Sequence, residues 1–242
     1  MKTIVIIGGS KGIGNAIINL LIDRHKIINI SRSKPNTAHQ NLSHYSCDVL
    51  IDEYPDINSI DTLIYCPGSI NLKPFSRLKI EDFNSDYEIN VLSAVKAIQK
   101  YLPVLKEGKN PSILLFSTVA VKLGMPFHAS IASAKAAVEG LVRSLGAELA
   151  PMIRINAIAP TITDTELAAK LLRNDRMKEN IINSHPLKKY LDPKEVAAMA
   201  EFLISDNAQS VSGQVYEFDC GIVSFKSCTN GKDNTFYHFP GY

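Results

Sequence analysis

The sequence predicts an α/β chain, a doubly wound parallel sheet flanked by helices. Three observations carry that expectation. Short β-branched apolar runs alternate with segments whose apolar residues recur at helical spacing. The runs are apolar on both faces, which suits strands buried between two helix layers. A glycine-rich stretch follows the first run at once and leads into the first amphipathic segment.

The strands are expected at TIVII (3 to 7), KIINIS (26 to 31), TLIYC (62 to 66), SILLFS (112 to 117) and RINAIA (154 to 159). After the first, Ile13, Ile17, Leu20 and Leu21 fall on one helical face. Between Asp48 and Asp61 the segment VLIDEYPDINSI holds Pro55 and leaves little room for a crossover helix, so a short or irregular connection is expected. Residues 80 to 107 read as helix, bent or shortened by Pro103. In the helix that opens with ASIASAKAAVEG, Ala134, Val138, Leu141 and Leu145 are expected to face the sheet. From Ser224 the tail SFKSCTNGKDNTFYHFPGY fits no periodic template.

One domain is expected from 242 residues that are 45% hydrophobic. Lys plus Arg number 26 against 24 Asp plus Glu, a net charge of +2 with no long run of one sign, which argues against nucleic acid or an acidic membrane as partner. TIVII is too short for a signal-peptide core, and no apolar run reaches the length of a membrane span. Cys47, Cys66, Cys220 and Cys228 form no CxxC pair, so no metal site is expected and a reducing cytoplasm is the expected home.

The chemistry begins in TIVIIGGSKGIGNAIINLLI, a strand, a glycine loop and a helix in succession. Gly8, Gly12 and Gly14 would let the backbone turn tightly and bring a helix N-terminus to a pyrophosphate. The plainer alternative is a tight turn and nothing more. The NISRSK end of the second strand carries no acid, and Arg32 is in reach; a guanidinium fork suits a ribose 2′-phosphate, and Lys11 adds a second cation. The alternative there is two solvated surface cations.

The loop spacing resembles the TGxxxGxG loop of the short-chain dehydrogenases/reductases, with Ile7 in place of Thr. The resemblance continues through CDV at 47 to 49, through YCPG at 65 to 68 where NNAG is usual, and through Asn90 in EINVLSAV. APTITDTELA (159 to 168) resembles the PGxxxT loop, with Thr161 for Gly and Thr165 kept, and SGQVYEFDCG (212 to 221) resembles the last strand. The resemblance implies a Rossmann-like domain over residues 1 to 223, a substrate lid at about 162 to 191, and a homodimer or homotetramer. Its implied cofactor is NADP, bound by Gly8, Ser10, Lys11, Gly12, Ile13, Gly14, Arg32, Asp48, Val49, Cys66, Pro67, Gly68, Asn90, Lys135, Pro160, Ile162 and Thr165. Its implied catalytic residues are Asn90, Thr118 and Lys135.

The resemblance fails at one position. In the family, a Tyr of the motif YxxxK gives the proton and the Lys lowers that Tyr's pKa; here Lys135 fits the lysine, but the Tyr position is Ile131. Thr118 stands where a Ser is usual and keeps a hydroxyl. Three readings are open. The first is a reductase of small carbonyls whose proton comes from His128, Ser130, Thr118 or a water held by Asn90 and Lys135. The second is a reductase of an activated double bond or iminium that needs no enzymic acid. The third is an NADP-binding sensor or scaffold without turnover. In the lid, LAAKLLRN puts Leu167, Leu171 and Leu172 on one side if it is helical, suiting a cover over an apolar substrate or ordinary packing.

Overall fold

The computed structural model describes residues 1–225. The irregular tail expected from Ser224 lies, beyond Phe225, outside the described residues. Seven parallel strands run β1 (Thr3–Ile7), β2 (Lys26–Ser31), β3 (Leu42–Ser46), β4 (Thr62–Tyr65), β5 (Ser112–Phe116), β6 (Arg154–Pro160) and β7 (Val215–Phe218), in the spatial order β3-β2-β1-β4-β5-β6-β7. The chain winds outward one way from β1 and the other way from β4, so the crevice between these two strands is the switch point at which open α/β sheets bind ligands.

Strand pleating divides the core in two. Ile4 and Ile6 of β1, with Ile27, Ile64, Leu114 and Ile158, face α1 (Gly12–Leu21) and a C-terminal helix, Pro193–Ile204. Val5 and Ile7, with Ile28, Ile30, Leu63 and Leu115, face the two helices on the opposite side of the sheet. The first of these begins as α2 (Ile80–Tyr87), passes through a π turn at Glu88–Leu92 and continues as α3 (Ser93–Lys106); the second is α4 (Ala129–Leu149). The remaining α-helices among the described residues are α5 (Asp175–Ser184) and the Pro193–Ile204 helix already named, α6.

Pro103 does not shorten α3, which runs on to Lys106. The N–H that proline lacks would have met the carbonyl of Gln99, and Gln99 is exposed, where water can take that carbonyl. In α4, Ala134 and Val138 are buried as expected, but Val142, Gly146 and Leu149 complete the buried stripe, and Leu141 and Leu145 pack only at its margin. LAAKLLRN forms no regular helix: a 3-10 turn covers Glu166–Ala168, Leu172 is buried and Leu167 is 53% exposed.

Residues 47–61 join β3 to β4 without a helix. Val49, Tyr54, Ile57 and Ile60 cover the sheet instead. The Tyr54 hydroxyl donates to the Ser93 carbonyl at 3.0 Å, and Tyr101 of α3 donates to the Pro55 carbonyl at 2.9 Å.

One polar residue interrupts the apolar second strand for the benefit of the glycine loop. Asn29, fully buried, accepts the Gly9 N–H at 3.0 Å, and its amide donates to Ser31 Oγ at 2.8 Å. Its amide also lies 2.9 Å from His44 Nδ1 of β3, which it reaches as donor, so no part of this buried side chain lacks a partner.

Candidate active site

Every residue expected at the site sits at the carboxyl ends of the strands. Gly8 to Gly14 link β1 to α1. Arg32 follows β2, Asp48 and Val49 follow β3, and Cys66, Pro67 and Gly68 follow β4. Thr118 follows β5, Pro160 ends β6 with Ile162 and Thr165 just beyond, Asn90 lies in the π turn and Lys135 in the second turn of α4.

The glycine loop has no spare room. Gly8 has φ +78° and Gly12 has φ +54°, both in the left-handed region that favours glycine. A Cβ on Gly8 would stand 3.0 Å from the Pro67 ring, so the loops after β1 and β4 touch across the switch point. A Cβ on Gly14 would stand 2.5 Å from the Gly8 carbonyl oxygen. Helix α1 opens at Lys11 with no side-chain cap and no acidic residue in its first turn, so its N–H groups and positive dipole end are left for an anion. The loop therefore fits a pyrophosphate on chemical grounds.

The two cations that the sequence suggests for a 2′-phosphate are differently engaged. Arg32 is largely exposed and stands 3.9 Å from Asp48. Lys11 instead reaches Glu166 at 2.6 Å, an exposed pair that, with the Gly12 to Thr165 approach, rests the segment after β6 on the glycine loop.

The deeper end is built around Gly68. A Cβ there would lie 3.1 Å from Asn90 Oδ1 and 3.6 Å from Lys135 Nζ, so glycine is what lets these two groups share the space. Asn90 reaches it because of the π turn: the Ser93 N–H bonds back to the Glu88 carbonyl, and the displaced Ile89 carbonyl is taken by the Tyr65 hydroxyl at 2.7 Å. The Asn90 amide donates to Ser69 Oγ at 3.0 Å and to the Asp86 carbonyl at 2.7 Å, whereas its Oδ1 is buried with no partner among the described residues. Lys135, 8% exposed, donates to the Phe116 carbonyl at 2.8 Å. Burial pushes its ammonium down to about 8, against an opposing pull from Cys66 and Asp86. Burial also pushes the Cys66 thiol up to about 12.

Around position 131 the groups fall into two kinds. Ile131 is 4% exposed and belongs to neither core cluster. The Thr118 hydroxyl accepts the Ala120 N–H at 3.3 Å as cap of a short turn, which leaves its own proton free to donate. His128 makes one local contact, Nδ1 to the Pro126 carbonyl at 2.7 Å, in the turn that its Pro and Phe neighbours announce. Ser130 is turned away into a buried cluster, donating to Asp86 Oδ2 at 2.5 Å. Ser117 donates to the buried Glu139 at 2.8 Å and ties the end of β5 to α4.

A family model described as enoyl-(acyl carrier protein) reductase matches residues 43–223. The chain belongs to the short-chain dehydrogenase/reductase family. Among its relatives, a 2,5-dichloro-2,5-cyclohexadiene-1,4-diol dehydrogenase of Sphingobium indicum is 27% identical, covering 92% of this chain and 97% of its own. The aldohexose dehydrogenase of Thermoplasma acidophilum superposes with a TM-score of 0.86 at 25% identity, over 95% of this chain and 96% of that one. ElxO with NADP bound superposes with a TM-score of 0.82 at 26% identity, over 93% of this chain and 100% of that one. The family is one of oxidoreductases, and no helix among the described residues is long and apolar enough to cross a membrane.

In this short-chain dehydrogenase/reductase, the structure brings to the site three residues that motif spacing missed: Ser69, the buried Asp86 and Glu166 of the segment after β6. Asp86 alone had a local signal, since it precedes Asn90 by four residues and shares its helix face.

Proposed function

We propose that this chain is an NADP(H)-dependent oxidoreductase that moves a hydride to or from a small carbonyl, alcohol or activated double bond, with the proton delivered by a group other than residue 131. The observation that supports it most is the meeting of Asn90 Oδ1 and Lys135 Nζ at Gly68, beside a glycine loop shaped for a pyrophosphate. NADP is favoured by Arg32, by the lack of an acid after β2 and by the NADP bound in ElxO. When bound, the dinucleotide supplies or accepts the hydride at its nicotinamide.

The protein's own part is to orient and to move one proton. Lys135 is charged at neutral pH and can bind ribose hydroxyls. The unpartnered Asn90 Oδ1 and the Lys135 ammonium together suit one water, which accepts from the ammonium and donates to the amide oxygen. That water can pass a proton to a developing alkoxide and be reloaded from Lys135, while the free hydroxyl proton of Thr118 holds the same oxygen. Activated double bonds enter the substrate class because the matching family model is described by an enoyl reductase. Ile131 favours one second reading, a cofactor-binding module without turnover.

Single-turnover oxidation of bound NADPH against ketones, enones and imines separates the two: NADPH that binds and is consumed by no compound would reject the enzyme. Arg32→Ala is expected to weaken NADPH by about tenfold and leave NADH unchanged, as the loss of one charge-assisted contact to phosphate should. Equal losses for the two cofactors in a binding titration would reject the NADP assignment. The chain is also proposed to form a homodimer or homotetramer, which a monomer in sedimentation at working concentration would contradict.

A further inference from the structure

Asp86 is 1% exposed, and each of its carboxylate oxygens has a hydroxyl partner: Ser69 donates to Oδ1 and Ser130 to Oδ2, both at 2.5 Å. Ser69 in turn accepts the Asn90 amide, so α2, the loop after β4, the π turn and the start of α4 meet in one buried polar cluster. A carboxylate at that depth is costly unless it is hydrogen-bonded and balanced by charge. The cation whose charge Asp86 acts on is Lys135, which is itself buried.

We propose that Asp86 is a positioning residue for the site, serving as the counter-charge of the Lys135 ammonium and fixing the Asn90 amide so that its oxygen faces Lys135. The proposal rests on reading Lys135 as the working ammonium. Two titratable groups act on Lys135, Cys66 from the end of β4 and Asp86 from α2; it donates to the Phe116 carbonyl, and Gly68 stands against both it and Asn90 Oδ1. Burial keeps Cys66 a thiol at neutral pH, which leaves the Asp86 carboxyl as the acidic group acting on the ammonium. The amide is oriented by the same cluster. The Ser69 hydroxyl spends its proton on Asp86, so it can only accept from Asn90, which turns the NH₂ toward Ser69 and the oxygen toward Gly68 and Lys135. A site that lacks the family's ionisable Tyr thus keeps a negative charge near its lysine from another element.

The test reads Lys135 directly in cofactor-free protein, by NMR titration of isotope-labelled lysine side chains, with the signal assigned through Lys135→Met. Asp86→Asn removes the charge and keeps the shape; the Lys135 midpoint is expected about one pH unit lower than in the unaltered protein. Ser130→Ala keeps the charge and removes one hydroxyl, and its midpoint is expected to stay. Where Asp86→Asn does not fold, Asp86→Ser carries the same expectation. A folded Asp86 variant whose Lys135 titrates as before overturns the proposal, as does an equal displacement in Ser130→Ala. NADPH binding by the unaltered protein is measured separately, so a failure to bind cofactor would reject the proposed function without altering the titration result.

Discussion

Ile131→Tyr is expected to raise the single-turnover rate of ketone reduction by roughly 10² to 10⁴, the usual worth of a placed general acid. The site already holds what such a hydroxyl would need: Lys135 one helical turn further on, Thr118 after β5 and Asn90 across Gly68. NADPH affinity should hardly change, because residue 131 is not among the groups proposed to hold the cofactor. The larger ring enters a buried position, so a stability loss of about 1–3 kcal/mol should accompany the gain. Thermal unfolding of the variant distinguishes a rate that fails because the chain is disturbed from one that fails in an intact fold. Unchanged ketone reduction in a well-folded variant that binds NADPH would mean that the acid is not the missing element.

Gly14→Ala should be nearly as severe for binding. The added methyl would lie 2.5 Å from the Gly8 oxygen and 2.9 Å from the Gly9 Cα, both backbone atoms of the loop, so the loop or the helix start must shift. NADPH affinity is expected to fall at least tenfold, roughly the loss of one good phosphate contact. A stability loss of about 1–3 kcal/mol should lower Tm by roughly 2–10 °C in a chain of this size. Gly140→Ala is the matched control: it lies mid-helix in α4 with nothing within 4 Å of an added Cβ, and it should bind NADPH as before. Equal behaviour of the two variants in a fluorescence titration would refute the close-packed loop.

Much of the fold is legible in the sequence because its signals are local. Each expected strand run matches an observed strand within one residue, and the glycine spacing marks where β1 gives way to α1. Pro55 correctly marks a connection with no crossover helix. Of the two effects expected of Pro103, shortening does not occur, since a proline's effect depends on which carbonyl it leaves unbonded, and Gln99 can turn that carbonyl to water. Leu167 misleads because Glu166–Ala168 forms only a 3-10 turn and the regular helix begins later, at Asp175, so the stripe has no helix to lie on. The site is less legible. Residue type points to Lys135 and Asn90, but their meeting at Gly68 needs a π turn that no spacing announces. Asp86, Ser69 and Ser130 are ordinary helix-end, loop and helix-start residues in sequence, and they become a cluster only when α2 packs on α4.

The helix-free stretch between β3 and β4 bears on how the molecule opens. Beyond a local turn at residues 48–52, it is tied outward, from Tyr54 to the start of α3 and from Tyr101 back to Pro55, and Lys100 of α3 pairs with Asp56. A crossover helix would carry its own ladder and could loosen by itself. This segment has only that turn of its own: swinging it out leaves the Tyr101 hydroxyl and the Ser93 carbonyl of α3 unpaired together. Although irregular in shape, residues 47–61 and α3 therefore make up a single cooperative unit, and local opening there involves both or neither.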